Sequence, residues 1–300
     1  HTWVETFIQG FRADFTLKKR RSAAPTVVVD IDHRFAVQGF PPLHQFLVGL
    51  RLFFTGQWGK WSAMRKAKDP FDAAETFEKL QNAHTSVRWQ FFAWIGPNRG
   101  PYDKGPSIHN PKTAQAHAFW AKKYPSTGLH PTYAHHDHGP KALEREIQAW
   151  NQATSRVLQR SRYHYLRMTL PQSQKHLFTS GLLEDWSMEY AKQSGYRAGV
   201  AVPIPAWGVG SEGGALDADG IPFLTYVPVA LMDQNLLGLS ADAIEQTLHR
   251  WDACAREHGA SLVLGTHWRF FGPGAATYSE TKDYAPWVQA LGSFLKKTKA

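Results

Sequence analysis

The sequence predicts an α/β fold, a distorted TIM-like barrel of seven or eight strands, and three observations lead to it. The chain has 300 residues with 43% hydrophobic content, which is enough to bury one large core. Short β-rich runs alternate along it with longer runs of helical periodicity. Polar side chains, mainly Asp and His, follow the ends of the β-rich runs. Strands separated by helices form parallel βαβ units, and about eight such units close most simply into a barrel.

The elements follow one another in regular order. Eight strands are predicted at 26–30, 87–95, 128–133, 160–165, 182–185, 197–202, 223–232 and 261–266. Seven helices are predicted at 43–54, 71–82, 113–123, 141–158, 172–180, 241–258 and 284–296. Several helices have clear start signals, such as Ser240 before the run that begins at Ala241.

The composition indicates one catalytic domain. No linker-like segment interrupts residues 26–300, whereas residues 1–25 are expected to be the tail of a preceding segment. The single cysteine, Cys254, fits a helix core and a reducing compartment, so localisation stays open with the cytoplasm slightly favoured. No apolar run has the length of a transmembrane segment.

The net charge of +9 comes partly from basic clusters at 18–21 and 296–299. Clustered Lys and Arg can neutralise phosphates, but no zinc-finger, RNP or helix-turn-helix spacing accompanies them. We therefore expect a solvated basic surface and no nucleic-acid partner, with acidic glycans as a compatible ligand.

Two carboxylates end the first predicted strand. Asp30 and Asp32 follow the apolar run 27–29, and alternate residues of a strand point to the same side. Two carboxylates held close together can divide metal binding and general-base catalysis between them. The alternative is that one of them only caps the following turn.

Histidines are concentrated after the third predicted strand. Four histidines and one Asp lie within 130–138, and imidazole with carboxylate is a ligand set that Zn²⁺ prefers. His130 and His135 are the candidate ligands here, although an exposed His-rich loop would produce the same pattern. His267, at the end of the last strand, is a candidate general acid, with a buried structural histidine as the alternative.

Further polar and aromatic residues stand at predicted strand ends. Arg162 can hold a catalytic carboxylate through a bidentate pair, or form an ordinary structural ion pair. Aromatic faces are common in carbohydrate sites, although most of the 12 Trp must simply pack. The candidate substrate-binding residues are His164, Tyr165, Asp185, Trp186, Arg197 and Trp268.

Taken together, these segments resemble the polysaccharide-deacetylase (NodB-homology) superfamily, most closely an uncharacterised bacterial subgroup. The resemblance covers the chain from Thr26 to its end. The motifs that carry it are 29–32 (VDID), 128–133 (GLHPTY), 161–166 (SRYHYL), 184–188 (EDWSM), 195–199 (GYRAG) and 266–267 (TH).

The resemblance implies a metal-dependent hydrolase that removes acetyl groups from N-acetylated saccharides. It implies a divalent metal, expected to be Zn²⁺, held by one Asp and two His. Carried over, Asp30 or Asp32 is the base, Arg162 orients it, His130 is a metal ligand and His267 is the acid. Asp185 corresponds to the acidic residue of a later motif.

This sequence departs from the family pattern at the metal motifs. The two Asp alternate instead of being adjacent, and position 134, four after His130, is Ala. The third ligand is therefore left open among His33, His135, His136 and His164. The alternative functions are an ester deacetylase, another C–N hydrolase, or a carbohydrate-binding domain without catalysis.

Overall fold

The computed structural model describes residues 24–96, 102–134, 139–206, 224–278 and 284–298. The strands of this part of the chain form one sheet in the order β6-β7-β5-β4-β3-β2-β1-β9-β8. Neighbouring strands are parallel except for β6 and β7. The strands are β1 Thr26–Ile31, β2 Arg88–Ala93, β3 Gly128–Leu129, β4 Arg160–Ser161, β5 Glu184–Asp185, β6 Ile204–Pro205, β7 Thr225–Tyr226, β8 Leu231–Met232 and β9 Val263–His267.

Helices connect these strands. They are α1 Pro42–Phe54, α2 Trp58–Met64, α3 Ala74–Ala83, α4 Pro111–Lys123, α5 Pro140–Thr154, α6 Gln172–Thr179, α7 Ala241–Glu257, α8 Ala275–Tyr278 and α9 Ala285–Lys297. Short 3₁₀ turns follow β4, β8 and β9. Within the described ranges, no helix is both long and apolar enough to cross a bilayer.

One extended segment, residues 225–232, contacts strands on both sides of the sheet. The amides of Thr225 and Val227 donate to the carbonyls of Leu183 and Asp185 on the β5 side, each at 2.8 Å. A few residues later, the amide of Ala230 donates to a β9 carbonyl at 2.9 Å, and β8 then pairs with β9. The segment thus bridges the gap in the sheet, which forms a half-barrel with the helices and has the predicted distorted α/β-barrel architecture.

The central strand β1 separates two layers of the core. Val27 and Val29 pack outward with Phe77 and other residues of the surrounding helices. Val28 points the other way and packs with Phe92 and Trp186. Because side chains alternate along a strand, Asp30 lies on the side of Val28, and its carboxylate faces the barrel interior.

The predicted sixth strand, 197–202, was wrong. Gly195 and Gly199 have φ values of 143° and 71°, and the amide of Gly199 closes a turn onto the carbonyl of Tyr196. These conformations bend the chain out of the extended form, and the strand forms later, as β6. The helix α2 was not predicted.

Candidate active site

A pocket lies at the carboxyl ends of β1, β3, β4, β8 and β9, where α/β barrels carry their active sites. The structure brings together six of the side chains that the sequence singled out, from four separate parts of the chain. Those lining the pocket are Asp30, Asp32, His130, His164, Tyr165 and His267. Other lining residues are Tyr163, Leu166, Ala191, Met232, Gln234 and Arg269.

Arg162 lies directly behind the pocket and fixes Asp30. Its Nε is 2.9 Å from both carboxylate oxygens of Asp30, and its Nη1 donates to the carbonyl of Trp186 at 2.6 Å. Its Nη2 donates to the buried carboxylate of Glu189. Each of its three nitrogens thus donates to an acceptor, although the guanidinium has no exposed surface.

Opposing effects act on the two carboxylates beside Arg162. Burial alone would raise the pKa of Asp30, but the charge of Arg162, with smaller contributions from His130 and His267, lowers it. Burial dominates at Glu189 and raises its pKa to about 7 despite the same guanidinium. Asp30 therefore stays ionised near neutral pH, which is the state that a general base requires.

His267 is held by Asp233, the first residue of the 3₁₀ turn after β8. The Nδ1 of His267 lies 2.8 Å from one carboxylate oxygen of Asp233, and the other oxygen accepts from the backbone amide of His267 at 2.7 Å. Burial would lower the pKa of His267, but the charge and hydrogen bond of Asp233, together with the charge of Asp32, outweigh it and raise the pKa. The ring is thus favoured as a proton donor, with Nε2 left to face the pocket.

His130 has a different partner and the opposite character. Its Nδ1 lies 2.6 Å from the backbone carbonyl of Arg162, and a carbonyl can only accept, so Nδ1 carries the hydrogen. Burial lowers the pKa of His130 to about 4, against a smaller opposing effect of Asp30. The neutral ring therefore presents Nε2 as an electron-pair donor.

His164 stands next to His130, with the two ring centroids 5.0 Å apart. Its Nδ1 contacts Asp103 at 3.0 Å, and Asp103 also accepts from the backbone amides of Tyr133 and Ala134. Asp103 thereby fixes the loop after β3 to the turn after β4. Burial would raise the pKa of Asp103, but the hydrogen bond from His164 and those two amides lower it.

The negative charge of Asp32 is balanced by an ion pair with Arg269. Arg269, on the 3₁₀ turn after β9, donates to its carboxylate through Nη1. Burial would raise the pKa of Asp32, but Arg269 is the main cause that holds it well below its usual range. The neighbouring His33 donates its backbone amide to Asp32 but does not line the pocket.

Three tyrosines, two of them exposed, form a cluster at the rim. The ring of Tyr165 lies 5.5 Å from those of Tyr102 and Tyr133, which are 4.6 Å from each other. Tyr165 and Leu166 both have positive φ, at 57° and 53°, a conformation that is unfavourable for such residues. In this strained turn, the side chain of Tyr165 points outward at the pocket and is 58% exposed.

Four predicted substrate-binding residues lie elsewhere. Asp185 is buried and accepts from Ser161 and Ser187, with its pKa raised to about 6 mainly by burial. Trp186 lines a different cavity, at the amino ends of the strands. Trp268 has no exposed surface because its 3₁₀ turn directs it outward onto Phe77.

Arg197 is exposed on the loop before β6 and is not among the residues that line the pocket. His135, the predicted second metal histidine, lies outside the described residues, as does His136. Ala134, four residues after His130, is buried and its amide donates to Asp103.

Sequence reasoning missed the residues that support the site from behind. Asp233, Glu189 and Asp103 act on His267, Arg162 and His164 from distant parts of the chain. Only Asp233 had a usable signal, because it follows a predicted strand end directly. Arg269 was missed because it lies on a turn that the sequence does not predict.

No family model matches the chain, and no curated protein matches it. Solved structures do share its fold. A protein described as a polysaccharide deacetylase from Mycobacterium smegmatis has a TM-score of 0.56 and 17% identity, over 94% of this chain and 86% of its own. One so described from Pseudomonas aeruginosa PAO1 has a TM-score of 0.52 and 14% identity, over 91% and 84%.

Puue allantoinase gives a similar result, with a TM-score of 0.51 and 13% identity over 94% of this chain and 85% of its own. Deacetylases and allantoinases are hydrolases that act on carbon–nitrogen bonds. The predicted resemblance and the predicted barrel are therefore confirmed at the level of fold.

Proposed function

We propose that this pocket hydrolyses an acetamido group on a saccharide and releases acetate. One observation carries the proposal: two titratable groups of the same pocket have their pKa values shifted in opposite directions, down at Asp30 and up at His267. Such a pair supplies a base and an acid at the same pH. The shared fold of deacetylases supports the substrate class.

The residues of the chain suit the two proton transfers. Asp30, oriented by Arg162, takes a proton from water as its oxygen attacks the acetamido carbon. His267, oriented by Asp233, gives its proton to the nitrogen as the carbon–nitrogen bond breaks. Acetate and the free amine of the sugar are the products, and each transferred proton has a named donor and acceptor.

A divalent metal, with Zn²⁺ as the expected ion, fits the donor chemistry. His130 offers a neutral Nε2, Asp32 offers a carboxylate, and the ring of His164 is oriented by Asp103 as ligating imidazoles usually are. No complete group of three ligands is assembled within the described ranges. We propose Asp32 and His130 as ligands, with His164 or His135 as the third; a bound ion would polarise the acyl carbonyl.

The rim favours a glycan as the ligand. Tyr165 and the neighbouring Tyr102 offer exposed aromatic faces on which a sugar ring can stack. Gln234 and Arg269 add hydrogen-bonding groups inside the pocket. An extended saccharide could therefore lie on the tyrosine cluster with one acetamido group in the pocket.

Acetate release from N-acetylated oligosaccharides, measured together with bound metal, tests the proposal. Wild type should release acetate, whereas Asp30→Asn and His267→Gln should lower kcat by about 100-fold or more. His130→Ala should lose both metal and activity. The matched control is His176→Ala on α6, which lies outside the pocket.

Other outcomes would replace the proposal. Acetate release from O-acetylated substrates alone would show an ester deacetylase, and turnover of ring amides alone would show another C–N hydrolase. Glycan binding without turnover of any of them would show a carbohydrate-binding domain that lacks catalysis.

A further inference from the structure

The paired helices α1 and α2, residues 42–64, expose an unusually apolar surface. They form a hairpin in which Gly49 approaches Met64 and Gly56 makes the turn with a φ of 68°. Leu52 is the only buried residue of α1. The largest exposed side chains are Phe54 at 79%, Leu43 at 69%, Phe46 at 62%, Leu47 at 54% and Trp58 at 53%.

A helix that is apolar on nearly every side is normally covered by something. Its length of 13 residues is too short to span a bilayer, which needs about 20 residues. Apolar helices of this length are core helices, lie in a membrane interface or form a contact surface for another protein. Among the residues that the structure describes, α1 is exposed and does not occupy a core position.

The charge of the surrounding sequence is one-sided. Residues 33–68 contain no Asp or Glu, and their basic residues are Arg34, Arg51, Lys60, Arg65, Lys66 and Lys68. Of these, Arg34 is buried and Lys68 pairs with Glu75, which leaves a basic fringe along the apolar face. The complementary surface is therefore apolar and anionic.

This charge argues against two other occupants. A second copy of the hairpin would bring the same positive charges together. Residues 1–23, with five basic and two acidic side chains, are basic themselves and would not neutralise the fringe. An anionic bilayer satisfies both the apolar face and the charge.

The turn end of the hairpin has the residue types that favour a lipid interface. The ring of Phe53 packs edge-on against those of Trp58 and Trp61, at 4.7 Å and 5.7 Å. Trp is enriched at the level of lipid head groups, where its ring is half apolar and half polar. The guanidinium of Arg65 lies 4.4 Å from the ring of Trp61.

The hairpin also stands at the pocket end of the barrel. It follows β1 in the chain and ends before Asp69. The carboxylate of Asp69 accepts from the backbone amides of residues 36–38 at 2.7–2.9 Å. In addition, α2 packs against α8, which follows the turn that carries Arg269. A surface bound by the hairpin would therefore lie beside the pocket mouth.

We propose that the α1–α2 hairpin docks this protein on anionic membranes, with its apolar face in the interfacial layer and its basic fringe against the lipid head groups. The test is cosedimentation of the full chain with vesicles of phosphatidylcholine alone, or of equal parts phosphatidylcholine and phosphatidylglycerol. Wild type should bind the mixed vesicles, and added salt should weaken the binding without abolishing it.

The variant Phe46→Ser/Leu47→Ser/Phe54→Ser should bind at least about tenfold more weakly, because each side chain buries apolar area in the lipid. Phe119→Ser/Val157→Ser is the matched control, since these apolar residues are also exposed but lie away from the hairpin. Arg51→Gln/Lys66→Gln should reduce binding to mixed vesicles and provides a second variant with an intact apolar face.

Several results would overturn the proposal. Wild type that stays in solution with both vesicle types would do so, as would equal binding by wild type and the triple-serine variant. A concentration-dependent dimer that the triple-serine variant abolishes would identify the face as an interface between copies. Exposure of the face only after removal of residues 1–23 would identify that segment as its cover. None of these readouts depends on acetate release.

Discussion

Arg162 and Asp30 form a buried ion pair in which one guanidinium nitrogen lies 2.9 Å from both carboxylate oxygens. Arg162 directly follows β4, whereas Asp30 belongs to β1. In the sheet, β2 and β3 lie between these two strands. The pair therefore crosses the barrel interior. It fixes the orientation of Asp30 through a residue that is 132 positions away in the chain.

Removal of the guanidinium should destabilise the fold. Arg162→Met leaves the carboxylate of Asp30 buried without its partner, and loss of one member of a buried pair typically costs about 3–5 kcal/mol. Urea unfolding should show this loss, and Arg162→Met/Asp30→Asn should recover part of it.

Arg160→Met is the matched control, because Arg160 pairs with Glu184 at 2.9 Å in a half-exposed position. Its effect should be no more than about 1 kcal/mol. Equal effects of the two single variants would contradict the assigned role of the buried pair.

Asp233→Asn should lower the pKa of His267. The charge and hydrogen bond of Asp233 are the main causes that raise that pKa against burial, and the amide retains a similar shape without the charge. NMR titration of the His267 ring measures the shift. If His267 is the acid, the high-pH limb of kcat/KM should move to lower pH. Asp103→Asn, which acts on His164, should leave the titration of His267 in place.

The same substitution changes stability with a definite sign. A raised folded-state pKa of His267 stabilises the protein below the unfolded-state pKa of about 6.5, and this contribution disappears as pH rises through the folded pKa. Asp233→Asn should therefore destabilise more at acidic pH than at alkaline pH. A pH-independent difference would show that Asp233 acts through packing alone.

His117→Leu should make the protein more resistant to mild acid. His117 is buried, burial lowers its pKa to about 3, and neither ring nitrogen has a hydrogen-bond partner among the described residues. Because the unfolded ring binds a proton near pH 6.5 and the folded one does not, stability falls as pH drops below that value.

Urea unfolding at about pH 7 and about pH 4.5 measures this effect. The free energy of unfolding that wild type loses between these two pH values should be smaller by on the order of 2 kcal/mol in His117→Leu. The exposed His109 provides the control, and His109→Leu should leave the loss unchanged. An unchanged loss in His117→Leu would mean that the ring is not kept neutral.

Arg269→Gln should strengthen metal binding if Asp32 is a ligand. Arg269 contacts the carboxylate of Asp32 and must move aside before a cation can share it. Titration calorimetry with Zn²⁺ should show at least about tenfold tighter binding, since an opposing charge pair is removed. His164→Ala should weaken binding, and weaker binding in Arg269→Gln would remove Asp32 from the proposed ligand set.

The sequence was sufficient for residues placed by local periodicity. The apolar run 27–29 predicts a strand buried on both faces, and strand alternation then directs Asp30 into the barrel. His130 and His267 were found because active-site residues of barrels follow strand ends. Trp268 was predicted to bind substrate, but the 3₁₀ turn after β9 directs its side chain into the outer core.

The supporting partners could not be found in this way. Glu189 reaches Arg162 and Asp103 reaches His164 only because the barrel closes, and no local pattern marks either residue. Gly199 interrupts the predicted strand at 197–202, because its positive φ overrides the apolar composition of that run.

The clamp formed by Asp69 has a consequence for how this barrel can diversify. Its three donors are main-chain amides, so the clamp does not depend on which side chains residues 36–38 carry. These hydrogen bonds hold together the two ends of the segment from Gly39 to Lys68, which contains the α1–α2 hairpin. The side chains of residues 36–38 can therefore vary without loss of the hydrogen bonds that hold the base of the segment in place.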